Sequence, residues 1–264
     1  AEICQDAFVE YKAKNRTKVL DNNKFFLLGE VYNYTINDAQ QFPFPDKKVN
    51  YYDNGFDALI NFDLRSSHKE SYQKLFNRYN DILQNEMNGK TVMSYITSHD
   101  DGSPFDKNRQ NPWDAGTRLL LTPGISQVYY GDETARPLEV EGVDGDANLR
   151  SNMNWNDIKS NQETKSLLNH FQKIGQFRRN HPAVGAGKQT DLQNDPYVFF
   201  RKYENDEVII SLGYFREQKL INVVNLWKDG TKVRDFYTGT IAVVKNGTIE
   251  MNTNSDTVLL EKID

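Results

Sequence analysis

The sequence predicts an α/β fold in which βα units on a parallel sheet are followed by an antiparallel, all-β module. Four strand-length runs are apolar on both faces, at 24–32 (KFFLLGEVY), 58–64 (ALINFDL), 91–97 (TVMSYIT) and 125–130 (ISQVYY), the pattern of strands covered by helices above and below. Stretches with helical spacing alternate with them. After His181-Pro182 the period shortens to β-rich segments broken by Gly, Asn and Asp, which is the signature of antiparallel strands and turns.

Taken in order, residues 1–15 read as a helix with Ile3, Phe8 and Tyr11 among polar neighbours, stopping near Asn15-Arg16. The run at 24–32 ends in a carboxylate. The run at 58–64 leads into a helix over 71–84, with Tyr72, Leu75, Phe76, Tyr79 and Leu83 on one face. The run at 91–97 ends at Ser98-His99-Asp100 and precedes a helix over 112–121; the run at 125–130 ends at Gly131-Asp132-Glu133, and a long loop leads to a helix over 163–179. The later segments, 197–203, 207–214, 233–237, 240–245 and 257–262, are the expected antiparallel strands. The change of period falls within 182–188 and divides the chain into 1–184 and 185–264. No repeat of 20 to 50 residues is present, so a solenoid or propeller is not indicated.

Composition narrows the function. With 264 residues, 38% hydrophobic and 26% charged, the chain is of ordinary globular type and can bury a core. Lys+Arg 32 against Asp+Glu 37 leaves a net charge of −5, which offers no basic surface for a polyanion and argues against a nucleic-acid partner. No run of about 18 apolar residues predicts a membrane span, and AEICQDAFVEYKAKN lacks the layout of a signal peptide. Cys4 is the only cysteine, so neither an internal disulfide nor a cysteine-based zinc site is expected, and the compartment is left open. Fourteen Tyr, fifteen Phe and three Trp fall largely in turn-rich stretches. Aromatic residues most often make core, but exposed ones stack well on sugar faces.

In parallel α/β sheets the active site gathers at the carboxyl ends of the strands. Glu30, His99 with Asp100, and Asp132 with Glu133 all fall there. A lone acidic residue after a strand is more often a cap or turn former, and Asp132 fits that role at least as well. Glu30 is the sharpest candidate, because it follows Phe25, Phe26, Leu27 and Leu28 directly, with Tyr32 and Tyr34 nearby. A carboxyl desolvated in this way beside other carboxylates suits proton donation near neutrality. His99 beside Asp100 has the makings of a metal-ligand pair, yet His68, His170 and His181 show no ligand spacing to it, so no metal site is assigned.

The ordered set GEVY at 29–32, SHDD at 98–101, GISQVYYGDE at 124–133 and RSNMNW at 150–155, followed by a β module, resembles the α-amylase family of retaining glycoside hydrolases (glycoside hydrolase family 13) over nearly the whole chain. The resemblance implies a (β/α)8 TIM barrel followed by an antiparallel β-sandwich, with the four apolar runs matching barrel strands 5 to 8. It further implies that Glu30 is the general acid/base, that Asp100 is the third carboxylate, which stabilises the oxocarbenium-like transition state, and that His99 hydrogen-bonds the same sugar. Tyr32, Arg150 and Trp113 are softer candidates for sugar contacts, since such residues more often pack or shape loops.

The chain also departs from the family pattern. The family's nucleophile is an aspartate at the end of the fourth barrel strand, two residues after an arginine, and a further motif with a histidine lies on the third strand; neither motif stands here. A whole barrel of roughly 250 residues leaves no room for the β module, so this chain is expected to hold the carboxyl-terminal half of the barrel, with the nucleophile upstream of Ala1 and no hydrolysis by the chain alone. No cofactor is carried over; the resemblance implies calcium only for a full-length parent. Expected partners are α-linked oligo- or polysaccharides and, through the open edges of a half-barrel, a second copy of the chain. The resemblance implies an extracytoplasmic parent protein. The alternative within the family is a non-catalytic carbohydrate-binding or assembly member. An unrelated α/β protein with a sugar-binding β module would make the ordered motifs a coincidence.

Overall fold

The computed structural model describes residues 1–18, 21–213 and 218–263. The first part of the chain runs α1 (Glu2–Lys14), β1 (Leu28–Gly29), a small hairpin β2 (Phe42–Pro43) and β3 (Lys48–Val49), β4 (Ala58–Asn61), α2 (Tyr72–Asn85), β5 (Thr91–Tyr95), α3 (Pro112–Leu121), β6 (Ile125–Gln127), α4 (Trp155–Ser160), α5 (Gln162–Asn180) and α6 (Ala183–Ala186). Strands β1, β4, β5 and β6 lie side by side in that order and pair in parallel, Leu28 opposite Ala58, Ala58 opposite Thr91, and Met93 opposite Ile125. These are the expected βα units.

The helices begin and end for local reasons. The Ser71 side chain accepts the Lys74 amide at 3.2 Å and caps α2, whose buried face carries Leu75, Phe76 and Tyr79. Pro112 stands in the first turn of α3, where its missing N–H costs nothing. Asn161 caps α5 by accepting the amides of Glu163 at 2.9 Å and Thr164 at 3.3 Å.

One expectation is corrected. Of the run 24–32, only Leu28–Gly29 pairs. It sits at the sheet edge with β4 on one side; the Asp57 carboxylate takes the Leu27 amide at 2.9 Å, and the chain turns where Tyr34 N–H donates to the Val31 carbonyl at 2.9 Å. Helix α1 forms as expected and buries none of its residues: Ile3 is 84% exposed, and Phe8 meets Phe25 edge-on at 5.7 Å with the Lys12 ammonium 4.8 Å from its ring.

The β module comprises β7 (Lys188–Asn194), β8 (Tyr197–Tyr203), β9 (Asp206–Leu212), β10 (Gln218–Asn222), β11 (Lys232–Asp235), β12 (Ile241–Val243), β13 (Thr248–Asn252) and β14 (Thr257–Ile263). Six strands form an antiparallel sheet ordered β12-β11-β14-β9-β8-β7, and β10 pairs with β13 in a second one. Of the expected strand 207–214, Tyr214 lies outside the described residues. Strands β7, β10 and β13 were not expected; β7 reads as polar, and it is held to α2 by amides rather than apolar contact. The Gln189 amide donates to Asn80 Oδ1 at 2.8 Å, and Gln189 Nε2 to Asn77 Oδ1 at 2.6 Å.

Alternation explains why the central strands are apolar throughout. Val198, Phe200, Ile209, Val258 and Leu260 face the second sheet, where Ile221, Ile249 and Met251 meet them. Tyr197, Phe199, Val208, Ile210 and Leu259 face the other way and join one continuous core with Leu59 and Val92 of the parallel sheet and Leu75, Leu119 and Ile174 of the helices.

Polar side chains clamp this seam. The fully buried Arg201 of β8 donates to the carbonyls of Leu121 and Val184, both at 2.6 Å, and to Gln189 Oε1 at 3.0 and 2.8 Å. His170 of α5 bridges the hydroxyls of Thr117, at 2.9 Å, and Tyr237, at 2.7 Å. Burial pulls its pKa from 6.5 down to about 4, so the unfolded chain takes up the proton first as pH falls. The contribution of His170 is therefore complete above pH 6.5 and is lost as pH falls towards about 4. Denaturant titrations across that window are expected to show stability falling with pH, and falling less steeply in His170→Gln.

Candidate active site at the carboxyl rim of the parallel sheet

Glu30 follows the carboxyl end of β1, and Ser98-His99-Asp100 follows that of β5, with β4 between them. At a strand spacing of about 4.8 Å, β1 and β5 lie about 10 Å apart on the same rim. Glu30 and Asp100 both open to solvent, and the side chains of His99 and Asp100 are 59% and 44% exposed. The Asp100 carboxylate accepts the Ser98 hydroxyl at 3.0 Å and lies 3.5 Å from His99 Nε2. Arg150 reaches the same loop from the far side of the rim, donating from Nε to the His99 carbonyl at 2.9 Å.

A relay of side chains ties the β1 end to the β5 end. Tyr32, 73% exposed, meets Phe62 edge-on at 5.6 Å, and Phe62 meets Tyr95 at 5.7 Å. The Tyr95 hydroxyl donates to Asp101 at 2.6 Å, and Asp101 is paired with Arg65, whose guanidinium lies 5.4 Å from the Phe62 ring. Burial, together with the Asp101 charge, holds the Tyr95 phenol well above its ordinary range. Asp101 also accepts the Ser103 amide at 3.0 Å, so the neighbour of Asp100 is fixed while Asp100 itself remains open.

Beneath this relay lies Asn61, fully buried at the end of β4. Its Oδ1 accepts the amides of Ile36 at 2.8 Å and Asp63 at 3.2 Å. Its Nδ2 donates to the Tyr79 hydroxyl at 2.8 Å and to Ser94 Oγ at 3.0 Å. Two donors and two acceptor positions are thus all used.

One expectation fails. Glu30 is exposed, so the desolvation expected of it is absent, because the edge strand has no strand neighbour on its outer side among the described residues. Asp132 is not an open rim carboxylate: it is buried and paired with Arg109 at 2.9 Å, and burial raises its pKa although Arg109 opposes the shift. Its neighbour Glu133 accepts the Gly131 amide at 2.9 Å, a local turn contact. Trp113 stands in the first turn of α3, with its ring 4.8 Å from that of His170.

The last two motifs are held together by Arg136, which sequence reasoning missed. It is wholly buried and donates to the carbonyls of Tyr130 at 3.2 Å, Leu149 at 2.9 Å and Ser151 at 3.3 Å. Gly131 has φ +90°, and a Cβ there would stand 2.5 Å from the Arg136 side chain, so only glycine fits. Asn61 and Arg65 were missed as well. A polar residue inside the apolar run ALINFDL was the available signal. Among the described residues, no group of three or more His, Cys, Asp or Glu is placed to hold a metal ion, and no helix is long and apolar enough to cross a membrane.

No protein-family model matches the chain. The periplasmic α-amylase of Escherichia coli K12 is 35% identical over 207 residues, covering 77% of this chain and 28% of that protein. A cyclomaltodextrin glucanotransferase of Thermoanaerobacterium thermosulfurigenes is 23% identical over 125 residues, 46% of this chain and 16% of that protein. Among solved structures, the α-amylase of Geobacillus thermoleovorans complexed with acarbose superposes with a TM-score of 0.64 at 21% identity, over 97% of this chain and 56% of that one. The α-amylase of H. orenii gives 0.59 at 18% identity, over 98% and 57%. The likeness to these solved structures is one of fold. The chain belongs to the α-amylase family, and it spans just over a quarter of the E. coli relative's length and little more than half of these solved chains.

Asn61→Leu leaves Ile36 N–H, Ser94 and Tyr79 short of partners. It is expected to destabilise the chain by about 2–4 kcal/mol, measured by urea denaturation, and to broaden the amide resonances of 31–38.

Proposed function

We propose that this chain is part of a retaining glycoside hydrolase that acts on α-glucans, supplying the carboxyl-terminal half of its (β/α)8 barrel, strands 5 to 8, in residues 1–184 and its β-sandwich domain in 185–264. Glu30 is the general acid/base, protonating the leaving glycosidic oxygen and later deprotonating water. Asp100 binds sugar hydroxyls and stabilises positive charge at the anomeric carbon. His99, Tyr32 and Arg150 contact or frame the same sugar. The observation that carries this reading is that Glu30 and Asp100 emerge from the same sheet end, joined through Tyr32, Phe62, Tyr95 and Asp101. An extracytoplasmic parent is supported by the periplasmic relative.

Retaining chemistry needs a second carboxylate about 5–5.5 Å from the acid, and no motif in this chain matches the family's nucleophile. Purified alone, the 264-residue chain is expected to release no reducing sugar from soluble starch. It is expected to bind maltooligosaccharides by calorimetry, with Asp100→Asn weakening binding about tenfold. Rapid starch hydrolysis by the chain alone would contradict this assignment.

The exposure of Glu30 favours a second reading, a family member whose rim binds glucan without cleaving it. A longer parent whose starch hydrolysis falls by about 10²–10⁴-fold in Glu30→Gln supports the first reading; a parent with no hydrolysis to lose supports the second.

The outer sides of β1 and β6 have no strand partner among the described residues, and Phe26 and Ile3 lie exposed near β1. Self-association of the isolated chain is therefore expected. Light scattering over a concentration series checks it, and a strict monomer throughout would refute it.

A further inference from the structure

A second cleft, of about 460 Å³, opens at the seam between helices α3 and α5 and the β module, lined by Trp113, Tyr72, Tyr237, Asp114 and Asp256 among others. Its volume falls within the range of about 300–1,000 Å³ typical of small-molecule sites. It shares no residue with the rim that carries Glu30 and Asp100.

The chemistry of its walls is specific. Trp113, 36% exposed, is backed by the His170 ring at 4.8 Å, and His170 is itself held by Thr117 and Tyr237, so the indole is a braced platform. The Trp113 indole N–H donates to no acceptor among the described residues, whereas the buried Trp227 donates to Glu207 at 3.1 Å. The Asp256 carboxylate makes no hydrogen bond or ion pair among the described residues, although its backbone carbonyl accepts the Gly213 amide at 3.1 Å. Asp114, by contrast, is already engaged, accepting the Tyr72 hydroxyl at 2.6 Å and Arg118 at 2.7 Å. Among the described residues the cleft therefore offers a flat apolar face with a donor in Trp113 and an acceptor in Asp256 that take no other partner. Two carboxylates, one of them unpaired among the described residues, disfavour a phosphorylated or otherwise anionic ligand. A neutral pyranose presents the complement: a C–H face that stacks on an aromatic ring, with hydroxyls around its edge that both donate and accept.

We propose that this seam is a second glucan-binding site, with Trp113 as the stacking platform and Asp256 as the hydroxyl acceptor. Its location is argued independently, while the choice of an α-glucan as the pyranose source rests on the function proposed above. A long glucan held here and at the rim together gains affinity through effective concentration, without any new contact.

The test uses the whole ¹⁵N-labelled chain titrated with maltotriose, following the three indole N–H resonances, with that of Trp113 assigned by its loss in Trp113→Phe. Expected is a saturable shift of the Trp113 resonance that persists in Asp100→Asn and is weakened several-fold in Asp256→Asn, while Trp155, exposed outside the cleft, stays still. A Trp113 resonance that does not move while rim amides around His99 do would overturn the second site and leave the proposed function standing. A Trp113 shift that vanishes in Asp100→Asn would show the indole merely sensing the rim, and would also overturn it. No shift anywhere would remove glucan binding from both places.

Discussion

The carboxyl rim depends on one buried amide. Asn61 has no exposure to water, and each of its four hydrogen-bonding positions goes to a different element: the segment after β1, the turn after β4, helix α2 and strand β5. A buried amide is costly unless it is satisfied, and a fully satisfied one permits few other arrangements. Because Ile36 and Ser94 bond the same side chain, the loop that carries Glu30 and Tyr32 cannot shift relative to the strand that delivers Asp100 without breaking that set. The aromatic relay from Tyr32 to Tyr95 and the Arg65–Asp101 pair are built over this fixed point.

A division of labour follows. At the end of β5, one of two adjacent aspartates is anchored and the other is presented. Asp101 is buried and committed to Arg65 and Tyr95, whereas Asp100 opens to solvent beside His99. Asp132 is likewise withdrawn into its pair with Arg109. Burial makes such anchoring partners strict, since an unpaired buried charge is expensive, while an exposed carboxylate stays available for a ligand. The seam is organised on the same lines: Arg201 and His170 are consumed in holding α3, α5 and α6 to the β module, and that bracing turns Trp113 into a firm surface at the edge of the cleft.

Much of this was legible in the residues. The helices over 71–84, 112–121 and 163–179 lie within a residue or two of where their periodicity put them, because each has a cap or a proline at its start and a long apolar face. The four parallel strands were found but overestimated in length, most of all 24–32. An apolar run does not by itself report pairing or burial: Phe26, Leu28 and Tyr32 of this run stand exposed at the sheet edge. Strand β7 escaped notice for the opposite reason: it is joined to α2 through Gln189, Asn77 and Asn80, and a polar strand held by amides leaves no hydrophobic alternation to read.

By itself the sequence determined the order of βα units, the switch to antiparallel β structure near 182–188, and which chemical groups stand at the strand ends, since these are properties of local pattern and chain order. Only the tertiary structure decided which of those groups are open and which are spent. Glu30 and Asp132 look alike in sequence, an acid following an apolar run. The first is exposed because its strand lies at an edge, and the second is buried because Arg109, distant in the chain, folds onto it. Exposure and pairing are set by neighbours brought from elsewhere in the chain, and no local pattern encodes them.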